Sequence, residues 1–181
     1  MEKPKFKFDE NLRSIPENPK HLKSYIQNME SSLDSIKDPK QYISVIGEMA
    51  VYLRMLGEFE KAETALEKSL KIIAKEKLGI QREVQQKIRL AHVLQDKKEF
   101  NKSNTLFAEL IQTCRKNEEA KNYLAFALQH SGKNLFDQNL FTDALAQFEE
   151  ALSLRKSMNA PQDQIESTEL AIKRTKELLK A

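Results

Sequence analysis

One segment of this chain recurs at a fixed spacing. The sequence GEFEKAETALEKSL begins at Gly57, KEFNKSNTLFAELI begins at Lys98, and NLFTDALAQFEEAL begins at Asn139, so each copy starts 41 residues after the one before. A fixed period of this length is typical of repeat architectures, in which each unit packs against its neighbours. The period therefore predicts an array of similar units in place of one irregular globular core.

The units are predicted to be helical. The chain has 181 residues with only four Gly, five Pro and no Trp, and 31% of its residues are charged. This composition, with apolar residues recurring every three or four positions, predicts about eight α-helices. Turns of a few residues join them, and short turns make neighbouring helices antiparallel. The expected fold class is all-α, a right-handed α-solenoid of antiparallel helix hairpins.

Charge and cysteine content favour some function classes over others. The net charge is +3, with Lys and Glu interspersed, so we expect no nucleic-acid partner. The single Cys114 excludes an internal disulfide, suits a reducing compartment, and fits a small core position. No stretch resembles a signal peptide or approaches the roughly 20 apolar residues of a membrane span. The expectation is a soluble cytoplasmic protein with no membrane partner.

Small residues recur inside the copies at matched positions. The first helix of each hairpin carries one small residue and the second helix carries another 12 positions later; the pairs are Ala50 with Ala62, Ala91 with Ser103, and Gly132 with Ala144. Four positions further on comes a large apolar residue, in turn Leu66, Phe107 and Phe148. Two helices that cross closely need small side chains at the crossing point. Gly132 costs about 1 kcal/mol inside a helix, and its place in this series explains it.

This pattern resembles the tetratricopeptide repeat (TPR) family over roughly Tyr42–Lys156. The matching positions of the first copy are Ile46, Met49, Ala50, Leu53, Ala62, Leu66 and Ser69, with their equivalents 41 and 82 residues on. Three departures stand out. The period is 41 where the family commonly has about 34, Lys87 stands where a large apolar residue is usual, and the proline often found at a repeat end is missing. The match is to a long-period variety, and the second copy is the weakest.

The resemblance implies a domain organisation. Residues 1–17 contain Pro4 and Pro16 and are predicted to form a flexible N-terminal arm, with a short extended docking segment at Phe6 and Phe8 as the alternative. A TPR-like domain follows over residues 18–181. That domain comprises a half repeat over 18–37, repeats over about 39–78, 80–117 and 118–158, and a C-terminal capping helix over 161–181. The last helix has a polar outer face, as open arrays require for solubility.

The resemblance also implies a function, which is to bind a protein or peptide in a concave groove lined by the first helix of each hairpin. The groove-side residues, all expected to be exposed, are Glu48, Val51, Arg54, Met55, Gln85, Arg89, His92, Gln95, Phe126, Gln129, His130, Lys133 and Phe136. We expect Arg54, Arg89 and Lys133 to lie at one level of successive helices and to accept an acidic segment or a free C-terminus. Phe126 and Phe136 would then be apolar anchors.

Other interpretations remain open. The same residues also fit an ordinary solvated helix face. The family's carboxylate clamp uses Lys and Asn, and Gly47 and Val51 stand at those sites, so that specific activity is not expected. His92 and His130 lack a third ligand, so we expect no metal and no cofactor. No nucleophile or phosphate-binding motif is present, and we expect no enzyme.

Two alternative functions remain. The first is a peptide-responsive regulator of a partner protein. The second is a self-associating structural subunit, a homodimer through the N-terminal half repeat. The helix over residues 21–36 would then expose Tyr25 and Met29 to a second copy.

Overall fold

The computed structural model describes residues 2–180, and it is almost entirely helical. A short two-stranded hairpin precedes eight α-helices within those residues. The elements are β1 (Phe6–Phe8), β2 (Ser14–Pro16), α1 (Pro19–Leu33), α2 (Pro39–Met55), α3 (Phe59–Lys75), α4 (Ile80–Asp96), α5 (Phe100–Lys116), α6 (Leu124–Asp137), α7 (Phe141–Ser157) and α8 (Gln162–Leu178). A 3-10 turn, Lys121–Tyr123, leads directly into α6. The predicted all-α fold of helix hairpins is confirmed.

The period of the sequence is visible in the helix bounds. Helices α3, α5 and α7 begin at Phe59, Phe100 and Phe141, which are 41 residues apart. Helices α2, α4 and α8 begin at Pro39, Ile80 and Gln162, and the 3-10 turn before α6 begins at Lys121, so this series has the same spacing. The repeat in sequence is therefore a repeat of helix pairs.

Helix ends follow from local chemistry. The Asn18 side chain accepts the His21 backbone N–H before Pro19, and the Asp38 side chain accepts two backbone N–H groups at the start of α2. The helices α2, α4 and α6 are each followed, two positions after their last residue, by a residue with left-handed backbone. These residues are Gly57, Lys98 and Asn139, with φ values of 76°, 62° and 60°. Glycine adopts this conformation without strain, as predicted for Gly57.

The chain divides into two compact units between Lys97 and Lys98. The N-terminal unit holds the strands and α1–α4, and the C-terminal unit holds α5–α8. The division falls in the turn of the second predicted repeat, which is the copy with the weakest match. Lys87 of that copy is half-buried and pairs with Glu83 at 2.6 Å.

The core of the N-terminal unit lies between α1, α2 and α3. It is built from the small residues Ala50 and Ala62 and from large apolar side chains, with a contribution from Val93 of α4; the full cluster is Leu22, Ile26, Ile46, Met49, Ala50, Tyr52, Leu53, Ala62, Ala65, Leu66 and Val93. Tyr25 and Met29, which we expected α1 to expose, are half-buried and pack against this cluster.

The first residues of the chain differ from the prediction of an irregular arm. Strand β1 pairs antiparallel with β2, with Lys7 opposite Ile15. The turn between them closes on the Asp9 side chain, which accepts the backbone N–H groups of Asn11 and Arg13. Leu12 in this turn is 5% exposed and anchors the hairpin. Residues 1 and 181, which belong to the predicted arm and capping helix, lie outside the described residues.

The core of the C-terminal unit confirms the small-residue series. Ser103, Ala144 and Ala151 are fully buried, and Phe107 and Phe148 are the largest fully buried side chains. A Cβ atom at Gly132 would lie 2.6 Å from Cε1 of Phe148. Glycine is required there because the Phe148 ring packs directly on the α6 backbone.

None of the helices described between residues 2 and 180 is long and apolar enough to cross a membrane.

Candidate functional site

The residues predicted to line a groove are less exposed than expected. Six of them are buried, namely Arg54, His92, Gln95, Gln129, Lys133 and Phe136. The other seven are half-buried, namely Glu48, Val51, Met55, Gln85, Arg89, Phe126 and His130. The expectation of an exposed face was wrong for the six, because neighbouring helices in each unit leave no room for fully solvated side chains. Their role in binding stays a prediction.

Arg54 is committed to an ion pair within the N-terminal unit. Its Nη1 atom donates to Oδ2 of Asp96 at 2.6 Å, joining α2 to the end of α4. Arg54 is 6% exposed and Asp96 is 10% exposed. Removing one partner of a buried pair leaves an uncompensated charge, which is strongly destabilising. We therefore assign Arg54 a structural role.

Arg89 contacts α2 beside Gly47, whereas Arg54 reaches the end of α4, and the single level predicted for Arg54, Arg89 and Lys133 stays a prediction. Arg89 Nη1 donates to Oε1 of Gln86 at 3.1 Å, and Gln86 Nε2 donates to the Ile43 carbonyl on α2 at 3.3 Å. A Cβ atom at Gly47 would lie 2.1 Å from Arg89 Nη1. Gly47 thus lets the guanidinium and the Gln86 amide lie directly on α2.

Glu48 is the carboxylate that α2 contributes to this face. Its Oε1 atom accepts from Lys3 Nζ at 2.8 Å and from the Tyr52 hydroxyl at 3.0 Å. Burial raises the pKa of the Glu48 carboxyl, but the hydrogen bonds from Lys3 and Tyr52 and the nearby Arg89 charge outweigh it, so the pKa lies below its usual value. Glu48 is therefore ionised at neutral pH.

In the C-terminal unit, the predicted anchor Phe126 is covered by a cation. The Arg155 guanidinium of α7 lies 5.4 Å from the centre of the Phe126 ring. Arg155 Nη1 also donates to the Gln164 carbonyl at 2.7 Å and to the Thr168 hydroxyl. Burial lowers the pKa of Arg155 to about 10, and Asp163 partly offsets this effect. Arg155 thus joins α6, α7 and α8.

The remaining predicted residues of α6 have mixed surroundings. Phe136 stacks edge-on against Phe141, with ring centroids 5.3 Å apart. Gln129 is 3% exposed, and its side-chain amide makes no hydrogen bond. Among residues 2–180, no three His, Cys, Asp or Glu side chains are grouped so that they could hold a metal ion.

Sequence reasoning missed several side chains that shape these faces. The Asp96 contact could have been suspected from the sequence, because Asp96 lies 42 residues after Arg54 and the repeat places residues about 41 apart on neighbouring repeats. Gln86 and Arg155 also stand at regular positions, but nothing in the pattern indicates that α4 would reach the α2 backbone or that α8 would accept from a guanidinium. Lys3 had no signal, because its contact depends on the fold of the hairpin.

Comparisons with known proteins bear on the fold. No family model matches the chain, and neither does any curated protein. Several solved structures are similar, BtubC and PlcR among them. BtubC (BKLC) from P. vanneervenii has a TM-score of 0.62 and 16% identity, and the match covers 87% of this chain and 72% of that one. PlcR from Bacillus thuringiensis, solved in complex with the peptide PapR7 and DNA, has a TM-score of 0.67 and 13% identity, and the match covers 90% of this chain and 66% of that one. These likenesses support a TPR-like helical fold.

Proposed function

We propose that this chain is a protein- or peptide-binding module whose contact face is formed by α2 and α4 in the N-terminal unit. The observation that carries the proposal is the preorganised polar face of α2 and α4 in the N-terminal unit. There Gly47 and Gln86 hold Arg89, while Tyr52 holds Glu48. Charged groups fixed in this way bind a partner with little loss of side-chain freedom.

The structural likeness to PlcR supports the same function. That protein was solved with a bound peptide, and this chain has a similar fold over most of its length. The chain spans about two thirds of PlcR, so its DNA contact is not carried over. A TPR-like fold supports many functions, and the proposal therefore rests on the α2–α4 face.

The charged side chains of the α2–α4 face bear on the charge of the ligand. Arg54 is committed to Asp96, so it does not contribute to the recognition of an acidic segment or free C-terminus. Arg89 is half-buried at the surface of the same unit and keeps that role in the proposal. Glu48 adds a carboxylate beside it, so the face offers both signs of charge to a partner.

Affinity capture with matched variants tests the proposal. Arg89→Gln removes one charge from the proposed face, and Lys87→Gln removes the same charge two positions away on α4. We expect a specific partner to be recovered by the wild type and by Lys87→Gln, and to be depleted about tenfold or more with Arg89→Gln, because a charge-assisted hydrogen bond is lost. Quantitative mass spectrometry measures the depletion, and circular dichroism checks that helicity is unchanged. Equal recovery by both variants would place binding elsewhere.

A peptide-responsive regulator is the second candidate. The likeness to a protein solved with both peptide and DNA favours it. In that case a captured peptide would change the scattering radius of the chain, which small-angle X-ray scattering measures. A self-associating subunit is less favoured, because Tyr25 and Met29 pack against the core of their own unit. A light-scattering mass equal to one chain would argue against it.

Binding without catalysis, and without a cofactor or metal, stays part of this proposal. So do a cytoplasmic location and the lack of a nucleic-acid or membrane partner, which rest on the charge pattern and hydropathy of the sequence alone.

A further inference from the structure

The start of the chain rests on the face formed by α1 and α2. Lys3 Nζ lies 2.8 Å from Glu48 Oε1, and Nε2 of His21 is 3.0 Å from the Glu2 carbonyl oxygen. Glu48 thus contacts the side chain of Lys3, and His21 contacts the backbone of the preceding residue, Glu2. The α1–α2 face therefore holds Glu2 and Lys3 at two points, and Pro4 biases the Lys3 backbone towards an extended conformation.

The Glu48 carboxylate, which accepts the Lys3 ammonium group, is held in place by a second hydrogen bond. The Tyr52 hydroxyl donates to the same Glu48 oxygen that binds Lys3, and the Tyr25 ring stacks edge-on against Tyr52 at 5.6 Å. Tyr52 is 5% exposed. Tyr52 thus fixes the carboxylate, and Tyr25 packs against Tyr52. The Glu48 side chain remains 36% exposed with Lys3 in place.

The occupant of this position is loosely held. Lys3 is 71% exposed, and ion pairs between exposed side chains contribute little to stability. The hairpin is anchored separately by the buried Leu12 and by its own strand pairing. The Lys3 contact can therefore be exchanged for another cation without unfolding the hairpin or the helices below it.

We propose that Glu48, Tyr52 and His21 form a docking site for a partner segment that presents a Lys or Arg side chain on extended backbone, and that Glu2–Lys3 is its built-in competitor. The partner's cation takes the place of Lys3 on Glu48, and the carbonyl before it takes the place of the Glu2 carbonyl at His21. The inference rests on the proposed function and names the chemistry of one ligand. It predicts that binding requires displacement of the chain's own N-terminal residues.

A synthetic peptide of residues 2–17, labelled with fluorescein, is the probe. It is titrated into the full-length chain and into its Lys3→Glu variant, and fluorescence anisotropy reports binding. We expect the variant to bind the peptide about tenfold more tightly than the wild type, because the tethered segment competes at a high effective concentration. Binding should weaken as salt is raised.

Two controls separate the docking contact from general charge effects. Lys7→Glu makes the same charge change on the exposed strand β1, and should bind the peptide as the wild type does. A chain carrying Glu48→Lys alone keeps its own Lys3, which no longer pairs with residue 48, so it should not bind the wild-type peptide and should bind a peptide carrying Lys3→Glu. Circular dichroism confirms that each variant is folded.

The inference is overturned if the folded Lys3→Glu chain does not bind the peptide, or if Glu48→Lys leaves binding unchanged. Either result is separate from failure of the proposed function. A partner captured equally well by the wild type and by Glu48→Lys, but lost from Arg89→Gln, would keep the binding function and discard this site.

Discussion

The contact of α3 with α4 and the contact of α5 with α6 occupy equivalent places in the two units, yet different chemistry holds each together. In the N-terminal unit, Lys97 at the end of α4 pairs with Glu63 of α3 at 2.6 Å. In the C-terminal unit, Gln138 at the end of α6 exchanges two hydrogen bonds of 3.0 Å with Asn104 of α5. Each residue of the second pair lies 41 positions after its counterpart in the first.

The difference extends into the core beside these pairs. The N-terminal unit has Ala62 and Val93, which are apolar, where the C-terminal unit has Ser103 and Asn134. Ser103 Oγ donates to Asn134 Oδ1 at 2.7 Å, and Asn134 Nδ2 donates to Asn104. The repeat thus specifies that two helices meet at this point, but it does not specify the chemistry of the contact. The N-terminal unit uses apolar side chains with an ion pair, and the C-terminal unit uses a buried amide network. A buried network is stabilising only while every member is paired.

The largest expected effect comes from breaking the amide network. Asn134→Val puts the residue of the N-terminal unit into the C-terminal unit and removes the hydrogen bonds of Asn134 with Ser103 and Asn104. Ser103 keeps its bond to the Phe100 carbonyl, and Asn104 keeps its bonds to Gln138. We expect a loss of about 2–3 kcal/mol in the free energy of unfolding, because two buried hydrogen bonds are lost and each contributes about 1 kcal/mol or more. Urea unfolding followed by circular dichroism measures it.

The double variant Ser103→Ala with Asn134→Val completes the exchange and is the matched control. It should regain about 1 kcal/mol or more of that loss, since the buried hydroxyl is removed with its partner. If Asn134→Val alone has no effect, the network does not stabilise this contact.

A smaller effect is expected at the hairpin crossing of α6 and α7. Gly132→Ala introduces a Cβ atom 2.6 Å from the Phe148 ring. The overpacking cost exceeds the gain of about 1 kcal/mol in helix propensity, so we expect a net loss of about 1–2 kcal/mol. Thermal unfolding measures it.

The N-terminal unit has Ala50 and Leu66 at the equivalent places, both in its core cluster. Combining Gly132→Ala with Phe148→Leu should therefore recover part of the lost stability. A double variant less stable than Gly132→Ala would show that the two crossings are not equivalent.

Exchanging the ion pair for the amide pair should change stability less. The double variant Glu63→Asn with Lys97→Gln should shift the free energy of unfolding by less than about 1 kcal/mol, because the pair is near the surface. Its clearer result is a weaker dependence of stability on salt, since screening acts on the ion pair alone. Urea titrations at low and high NaCl test this, and an unchanged salt dependence would contradict it.

The smallest effect is a pH dependence at the N-terminal hairpin, for which the C-terminal unit has no equivalent. The pKa of Glu48 is lowered in the folded chain. A lowered pKa means that the Lys3 contact is complete above the usual Glu pKa of about 4.3 and is lost as the pH falls below it. NMR signals of Lys3 should shift over this acidic range in the wild type and stay constant in Glu48→Gln. The reverse result would contradict the assignment.

Most of the fold could be predicted from the sequence. The 41-residue period, the turn at Gly57, and the opening of helices at Pro19 and Pro39 are local features, and each matches the helix bounds of the structure. The close packing of Gly132 was also predictable, because its small size had no other reason inside a helix. A flexible arm was predicted where β1 and β2 form a hairpin, although Phe6 and Phe8 alternate with lysines, because an alternation over three residues is too short to distinguish a strand from an irregular segment.

The candidate site was less predictable. The residue types on α2, α4 and α6 were identified, but their exposure was not, since burial depends on which neighbouring side chains fill the same space. Arg54 is an example, because Asp96 takes up its charge from another helix. Phe126 is another, because Arg155 covers it from α7.

The sequence by itself determined where most helices begin and end and where helices cross, because caps, turns and small residues act within a few positions of the chain. Only the tertiary structure decided which charges are paired and which side chains are buried. A salt bridge such as Lys3 with Glu48 joins residues far apart in the chain, and its strength depends on distances and burial that no periodic pattern contains.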